Sequence, residues 1–401
     1  MVRKDRAPDP RSLANDMLQT QQPVLQRFWY PVMYSRELVE QPRAIRFFGQ
    51  DVVLWRAEEG RPAAVIDRCM HRTARLSLGW VEKGQLRCRY HGWAYGANGA
   101  CLALPQLGGR PPAGQPRLPA FHCQERLGYV WLCKGEPLHP FPHIPEAEEP
   151  GFRLVHEFIE TWQCSSLRVL ENVFDMAHIN YVHLGTFGVA GQDTPPKLDI
   201  EEFEGGFHMK AHFEVANPDH QKRNLGIPGE RTTRTLDKTW YLPFGRRMRI
   251  TYPNGVVQVI MNWAVPMDDD RTLMVQFALR NDTEADVPAE EVIAWDRKVT
   301  LEDKVVLETT EWDTPLEPVR ERHMPADRPS LIMRRRLKAL LEAHGESERT
   351  RIQSNFYEQG PVASVPTSPG SQAGMDSTAS EVSPAGVDVE GLEGRPTRIA
   401  S

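Results

Sequence analysis

Four residues between positions 69 and 91 have the types and spacing of a paired metal-binding loop. Cys69-Met70-His71 and Cys88-Arg89-Tyr90-His91 read Cys-x-His and Cys-x-x-His, with sixteen residues between them. Each half brings one thiolate and one imidazole to the tip of a short loop. Two such loops side by side can hold a [2Fe–2S] cluster, with both sulfurs on one iron and both imidazoles on the other. That exchange of ligands raises the reduction potential to roughly −150 to +300 mV. A tetrahedral structural Zn²⁺ is the alternative for the same donor set. A second constellation runs Asn172-Val173-Phe174-Asp175-Met176-Ala177-His178-Ile179-Asn180-Tyr181-Val182-His183. Its pattern is helical, and Asp175 and His178 at i, i+3 share one face. His178 and His183 are about 140° apart on a regular helix. To reach one metal they need a π-bulge or a helix end between them. Without context, such a histidine pair is more often structural than metal-binding.

Context comes from a resemblance. Cys69-x-His71-Arg72, the following Leu76-Ser77-x-Gly79, and Cys88-x-Tyr90-His91-Gly92-Trp93-x-Tyr95 resemble the Rieske motif of the ring-hydroxylating and demethylating oxygenases. Rieske proteins of respiratory complexes differ, with an extra cysteine in each loop where this chain has Ala74 and Tyr90. The second constellation resembles that family's mononuclear iron motif, Asn-x-x-Asp-x-x-His-x-x-x-x-His, and it follows the first by about ninety residues. The resemblance implies that Cys69, His71, Cys88 and His91 hold the [2Fe–2S] cluster and that His178 and His183 bind a mononuclear Fe(II). It implies that Asp175 links a cluster histidine to an iron histidine across the boundary of a head-to-tail trimer, with Asn172 near the same path. Head-to-tail contacts that close on themselves build such a ring.

A 2-His-1-carboxylate triad with open positions is the usual non-haem Fe(II) oxygenase site, so the third ligand is a downstream carboxylate. Leu301-Glu302-Asp303-Lys304-Val305-Val306-Leu307-Glu308 resembles the family's Glu-Asp-x-x-x-x-Glu segment. It lies on a helix expected from about Ala289 to Trp312, with the apolar stripe Val292, Trp295, Val299, Val306. Glu302 and Asp303 sit at the two edges of that stripe, so periodicity leaves both open. Asp303 falls on the family's ligand position, and Glu302 is the fallback.

The elements that must position these residues follow from the surrounding pattern. At 401 residues the chain suggests about two domains. A hydrophobic content of 40% with 25% charged residues is that of a soluble globular protein, and the net charge of −6 points to neither nucleic acid nor an anionic membrane. No apolar run is long enough for a membrane span or a secretory signal. Of six cysteines, the four outside the motif read as buried thiols rather than disulfides, and a cytoplasmic setting is expected. Residues 1–26 read as a polar extension with a short helical piece around Leu13–Leu25. From 27 to 145, short β-branched and aromatic runs alternate with turn residues: Ala44–Phe48, Asp51–Arg56, Ala63–Asp67, Phe121–Glu125 and Leu127–Cys133. Residues 146–350 carry strand patterns at Phe207–Val215, Lys238–Leu242, Arg247–Tyr252, Val256–Val265 and Thr272–Leu279, and a last helix from Leu331 to His344. Residues 351–401 have the composition of a disordered tail.

The expected class is α+β: an N-terminal all-β Rieske domain, then an antiparallel helix-grip (START-like) sheet whose covering helices bear the iron. Trp240, Met248, Val259, Met261 and Trp263 are candidate pocket wall, most of them core. The run Arg334-Arg335-Arg336 is either a docking surface for an acidic ferredoxin or, more in keeping with such runs, a solvated face. The resemblance, covering about residues 27–345, implies a terminal oxygenase that passes electrons from the cluster to Fe(II) and uses O₂ to hydroxylate or demethylate a small aromatic or heterocyclic molecule. No Gly-x-Gly-x-x-Gly unit and no plant-type ferredoxin motif occurs, so NAD(P)H enters through a separate ferredoxin or flavin reductase. Arene dihydroxylation, steroid-type hydroxylation, and a Rieske electron carrier without oxygenase activity are the alternatives. A homotrimer, with no nucleic acid or membrane partner, completes the expectation.

Overall fold

A computed structural model describes residues 22–346 apart from 110, 112, 113, 314 and 318–320. The helical piece expected from Leu13 falls mostly outside the described residues, and the 351–401 tail falls wholly outside them.

The N-terminal half contains β1 (Tyr30–Tyr34), β2 (Arg43–Phe47), β3 (Gln50–Arg56), β4 (Pro62–Ile66), β5 (Trp80–Glu82), β6 (Gln85–Arg87), β7 (Ala94–Tyr95), β8 (Cys101–Ala103), β9 (Ala120–Arg126) and β10 (Tyr129–Cys133). Six form an antiparallel sheet in the order β1-β10-β9-β4-β3-β2, and the other four a small sheet in the order β5-β6-β7-β8. The strands expected from the sequence are present to within two residues at either end. The near-continuous apolar runs of β3 and β4 follow from burial on both faces. Val52, Leu54 and Ala64 join the main core, whereas Val53, Trp55, Ala63 and Val65 pack with Leu76, Leu86, Tyr95 and the two motif cysteines in a smaller core. Those cysteines therefore sit on a packed floor. All six cysteines are unpaired.

The C-terminal half opens with β11 (Arg153–Trp162), α1 (Ser166–Phe174) and the single turn α2 (Ile179–Val182). It continues through β12 (Asp199–Phe203), β13 (Gly206–Ala216), α3 (Asp219–Leu225), β14 (Arg231–Tyr241), β15 (Gly245–Thr251), β16 (Val257–Asp268) and β17 (Arg271–Arg280), and ends with α4 (Ala289–Leu307) and α5 (Arg328–Ala343). Seven strands form one antiparallel sheet in the order β11-β17-β16-β15-β14-β13-β12, so the first strand of this half closes against the last. α1 and α4 lie on one face. The other face meets the N-terminal half, where Trp131 stands edge-on to Trp263 at 4.8 Å and Phe48 N–H donates to the Pro266 carbonyl at 2.8 Å. The architecture is the expected α+β arrangement. α4 stops at Leu307, short of Trp312, because the Thr309 and Thr310 hydroxyls turn back to donate to the Val306 and Leu307 carbonyls.

The basic run of α5 is not one solvated face, because its first member is buried. Arg334 is 2% exposed and donates to Glu171 of α1 at 3.0 Å, with Glu321 as a second carboxylate partner. Arg335 and Arg336 pair with Glu202. Removing one partner of a buried ion pair leaves the other charge uncompensated, at about 3–5 kcal/mol. Arg334→Ala is accordingly expected to lower the unfolding midpoint by several degrees, and an unchanged thermal melt would contradict that role for the α1–α5 clamp.

Candidate redox and iron sites

The two Cys/His loops share one hydrogen-bond plan. Cys69 N–H donates to the Ala74 carbonyl at 2.8 Å and Thr73 N–H returns to the Cys69 carbonyl at 2.9 Å; in the second loop Cys88 N–H donates to Trp93 at 2.8 Å and Gly92 N–H returns to Cys88 at 2.9 Å. The fourth residue after each cysteine takes positive φ: 71° at Gly92, and 55° at Thr73, where a β-branched residue is rare and strained. The Cys69 and Cys88 sulfurs are buried. Tyr95 Oη lies 3.1 Å from the Cys69 sulfur and accepts from the Met70 N–H, while the backbone N–H groups of Tyr90 and His91 turn toward Cys88. Burial, with the neighbouring Cys69 adding to it, raises the Cys88 thiol above its ordinary value. The His71 and His91 rings stand 4.4 Å apart between centroids, and His71 stacks on Trp93 at 4.9 Å. His91 Nδ1 is buried without a hydrogen-bond partner. Two shielded sulfurs, two converging imidazoles and an orphaned ring nitrogen fit a [2Fe–2S] cluster with His on its outer iron.

The second site is made by breaking a helix. Ser165 caps α1 by accepting from Arg168 N–H, and Asp175 ends the helix by turning extended, with ψ near 145°. The Asp175 carboxylate then accepts from Ala177 N–H at 2.7 Å and faces His178 Nδ1 at 3.3 Å. His178 precedes α2 and His183 follows it. The helix breaks at Asp175, ahead of both histidines, rather than between them, and the pair flanks one continuous helical turn. Their Nε2 atoms lie 3.3 Å apart, and Asp303 Oδ1 on α4 is 3.4 Å from one and 3.2 Å from the other. All three donor atoms fall within 4.8 Å of one another.

Glu302 does something different: its Oε2 meets His183 Nδ1 at 2.9 Å and accepts from the Thr186 hydroxyl at 2.7 Å. Each imidazole therefore turns Nδ1 toward one carboxylate, hydrogen-bonded at His183 and only facing it at His178, and offers Nε2 to the shared point. Burial opposes the Asp303 charge, yet the two histidines outweigh it and hold that carboxyl well below the usual range. His178 moves upward, because Asp175 and Asp303 outweigh its burial. Two neutral imidazoles and one carboxylate fit a divalent iron with open positions.

This point lies in the wall of a cavity lined also by Asn172 and Asp175. Of the expected pocket wall only Met248 lines it. On β16 the cavity takes Ile260 and Asn262 instead of Val259, Met261 and Trp263, a one-residue parity error. β16 is buried on both faces over ten residues from Val257, so its alternation carried no signal. Trp240, on β14 inside the sheet, packs against its cross-strand neighbour Phe207 at 5.5 Å.

Comparison with known proteins then decides the family. Residues 28–121 match the Rieske [2Fe-2S] domain, and residues 162–343 match the vanillate O-demethylase oxygenase C-terminal domain. The chain belongs to the Rieske non-haem iron oxygenases. This oxygenase is 28% identical over 337 residues to the methylxanthine N1-demethylase NdmA of Pseudomonas putida, covering 81% of this chain and 92% of that one. The structure of NdmA with caffeine superposes with a TM-score of 0.69 at 26% identity, over 82% of this chain and 94% of that one. The vanillate O-demethylase oxygenase subunit of a Pseudomonas species is 33% identical over 42% of this chain and 48% of its own length. The oxygenase carries a [2Fe–2S] cluster and a mononuclear non-haem iron, uses O₂, and works as a component supplied by a separate reductase on small aromatic or heterocyclic molecules.

The sequence missed the polar lining of the oxygenase cavity: Glu157, Arg234, Lys238, Arg246, Asn262, Gln276 and Asp296, of which all but Glu157 line it directly. A signal existed in charged residues at alternate positions of strands that should face helices. Glu157 is the extra residue where the β11–β17 register shifts between His156 and Phe158. Carboxylate partners of metal-bound histidines are worth about 10–100-fold in metal affinity. Glu302→Gln is therefore expected to weaken iron retention by that factor in dialysis against a chelator, with the cluster absorbance unchanged; wild-type retention would contradict the orienting role.

Proposed function

We propose that Cys69, His71, Cys88 and His91 hold the cluster, that His178, His183 and Asp303 hold the Fe(II), and that the enzyme hydroxylates or oxidatively demethylates its substrate in the adjoining cavity. The observation that carries this reading is the meeting of His178 Nε2, His183 Nε2 and Asp303 Oδ1 within 4.8 Å in the wall of that cavity. When bound, the cluster supplies single electrons and the iron supplies O₂ activation. The chain's own residues do the rest. Asp175 and Glu302 fix both imidazole rings, leaving one face of the site open to the cavity. Leu236, Ile250, Ile260 and Met274 give that cavity an apolar side that excludes water from the reacting group.

Asp175 has a second role in this proposal. Its side chain is 28% exposed while still holding His178, so one edge remains within reach of another molecule. We infer a ring of three copies in which this carboxylate receives His91 of a neighbouring copy, with Asn172 beside the path. The six free cysteines support a reducing, cytosolic setting without a membrane partner, and no helix among the described residues is long and apolar enough to cross a membrane.

The test is a screen of iron-replete protein with a surrogate reductase against methoxy- and N-methyl-aromatic compounds, following O₂ uptake and formaldehyde. Formaldehyde released in step with O₂ supports demethylation. Hydroxylated ring product without formaldehyde selects the arene-hydroxylating alternative, and no substrate-dependent O₂ uptake contradicts oxygenase chemistry.

A further inference from the structure

We propose that the substrate received by this cavity carries a carboxylate, taken up by Arg234, Lys238 and Arg246 on the sheet side. This rests on the reading of the cavity as the substrate pocket. Arg234 and Lys238 are four residues apart on β14, and Arg246 lies on the neighbouring β15; all three line the cavity and are only 6%, 4% and 7% exposed. Among the described residues, none of the three has a carboxylate at ion-pair distance. Lys238 Nζ donates to the Val173 carbonyl at 2.9 Å and otherwise touches the Met176 sulfur at 3.4 Å. Arg246 donates to the same carbonyl at 3.2 Å and to the Asn262 side-chain oxygen. Arg234 lies over the Phe187 and Tyr252 rings at 4.5 and 5.5 Å. The Nε of each arginine is buried without a hydrogen-bond partner.

Buried cations without a facing anion are costly, and buried N–H groups without an acceptor add to that cost. The acidic groups nearby are committed elsewhere. Asp175 and Asp303 face the histidines. Glu157 and Asp296 lie together: burial raises both, the Asp296 charge raises Glu157 further, and the hydrogen bond from Glu157 with the charges of Arg280 and Arg234 limits the rise of Asp296 to about 6. Asp296 also accepts from Gln258, and Asp282 is turned to Arg280. Burial pushes the Lys238 ammonium down to about 7 and Arg246 down to about 10, so the standing cations of this wall are guanidinium groups rather than the lysine. A carboxylate offers two oxygens that accept from several N–H donors at once, and ion-assisted hydrogen bonds of this kind are the strong ones. A neutral heterocycle would bring no negative charge to the two guanidinium groups.

The experiment measures binding and O₂ uptake of the iron-replete protein with methoxybenzoates and N-methylindole carboxylates against the matching primary amides. Each is repeated with Arg246→Met and, in case that variant folds poorly, Lys238→Met, with cluster absorbance and thermal midpoint as folding controls. At least one acid is expected to bind about tenfold or more tightly than its amide, and the preference is expected to collapse in whichever variant folds. Amides binding as well as acids, a preference that survives in the folded variants, or no binding by any acid overturns the proposal. Failure of the underlying oxygenase reading looks different: acids bind with the expected preference, but no compound of either class stimulates O₂ uptake.

Discussion

Replacing Asp175 with Asn is expected to leave the cluster in place and, with iron supplied in excess, the mononuclear iron too, while lowering turnover by up to about a hundredfold, the upper end of what loss of a carboxylate behind a metal-bound histidine costs. The geometry is specific. One Asp175 oxygen holds the Ala177 N–H, the other faces both the backbone N–H and Nδ1 of His178, and the side chain is still partly open to the outside. Asparagine keeps the shape and one acceptor, so the turn that ends α1 survives. It loses the charge that holds His178, and it loses the acceptor offered to a neighbouring cluster histidine. Iron content and the visible spectrum of the cluster should match wild type, and cluster reoxidation in the presence of O₂ should slow. Normal turnover would remove Asp175 from the electron path and leave it a helix terminator.

Asp303→Ala should act on the metal itself. The protein is expected to fall from about three irons per chain to about two, with the cluster spectrum intact and product formation abolished. Asp303 Oδ1 sits at 3.4 and 3.2 Å from the two Nε2 atoms, so no other carboxylate reaches that point without moving. Glu302 is the adjacent candidate, yet its Oε2 already meets both His183 Nδ1 and the Thr186 hydroxyl. The two substitutions therefore rank: loss of Asp303 removes the iron, whereas loss of Glu302 only loosens it. An Asp303→Ala protein that keeps its full iron content would place the third ligand elsewhere.

The parts of this enzyme that are legible in the sequence are those where ligand chemistry dictates residue type. Thiolates and imidazoles at short fixed spacing leave few interpretations, whereas the helix break expected between His178 and His183 falls ahead of both, at Asp175. Asp303 and Glu302 are harder, because a helical wheel places both at the edges of the same stripe. What separates them is which ring nitrogen each meets, a tertiary fact. The cavity wall is misread from sequence for a related reason. β16 is buried on both faces, so neither the Val259–Trp263 set nor the Ile260–Asn262 set stands out by polarity. β11 escapes sequence reading altogether, since its inward Glu157 and register shift break the apolar alternation. Arg334 looks like one member of a solvated run, and only the packing of α5 on α1 gives it Glu171 and Glu321 as partners.

Electrons stored near His71 and His91 are, on this mechanism, spent on substrate beside His178, His183 and Asp303. The most direct measurement is a single turnover without reductase: cluster-reduced protein mixed with O₂ and a substrate from the screen, following cluster absorbance and product together. Cluster oxidation and product are expected to rise in step, and Asp303→Ala is expected to form no product. Product formed while the cluster stays reduced, or a cluster reoxidised equally fast in Asp303→Ala, would contradict the mechanism.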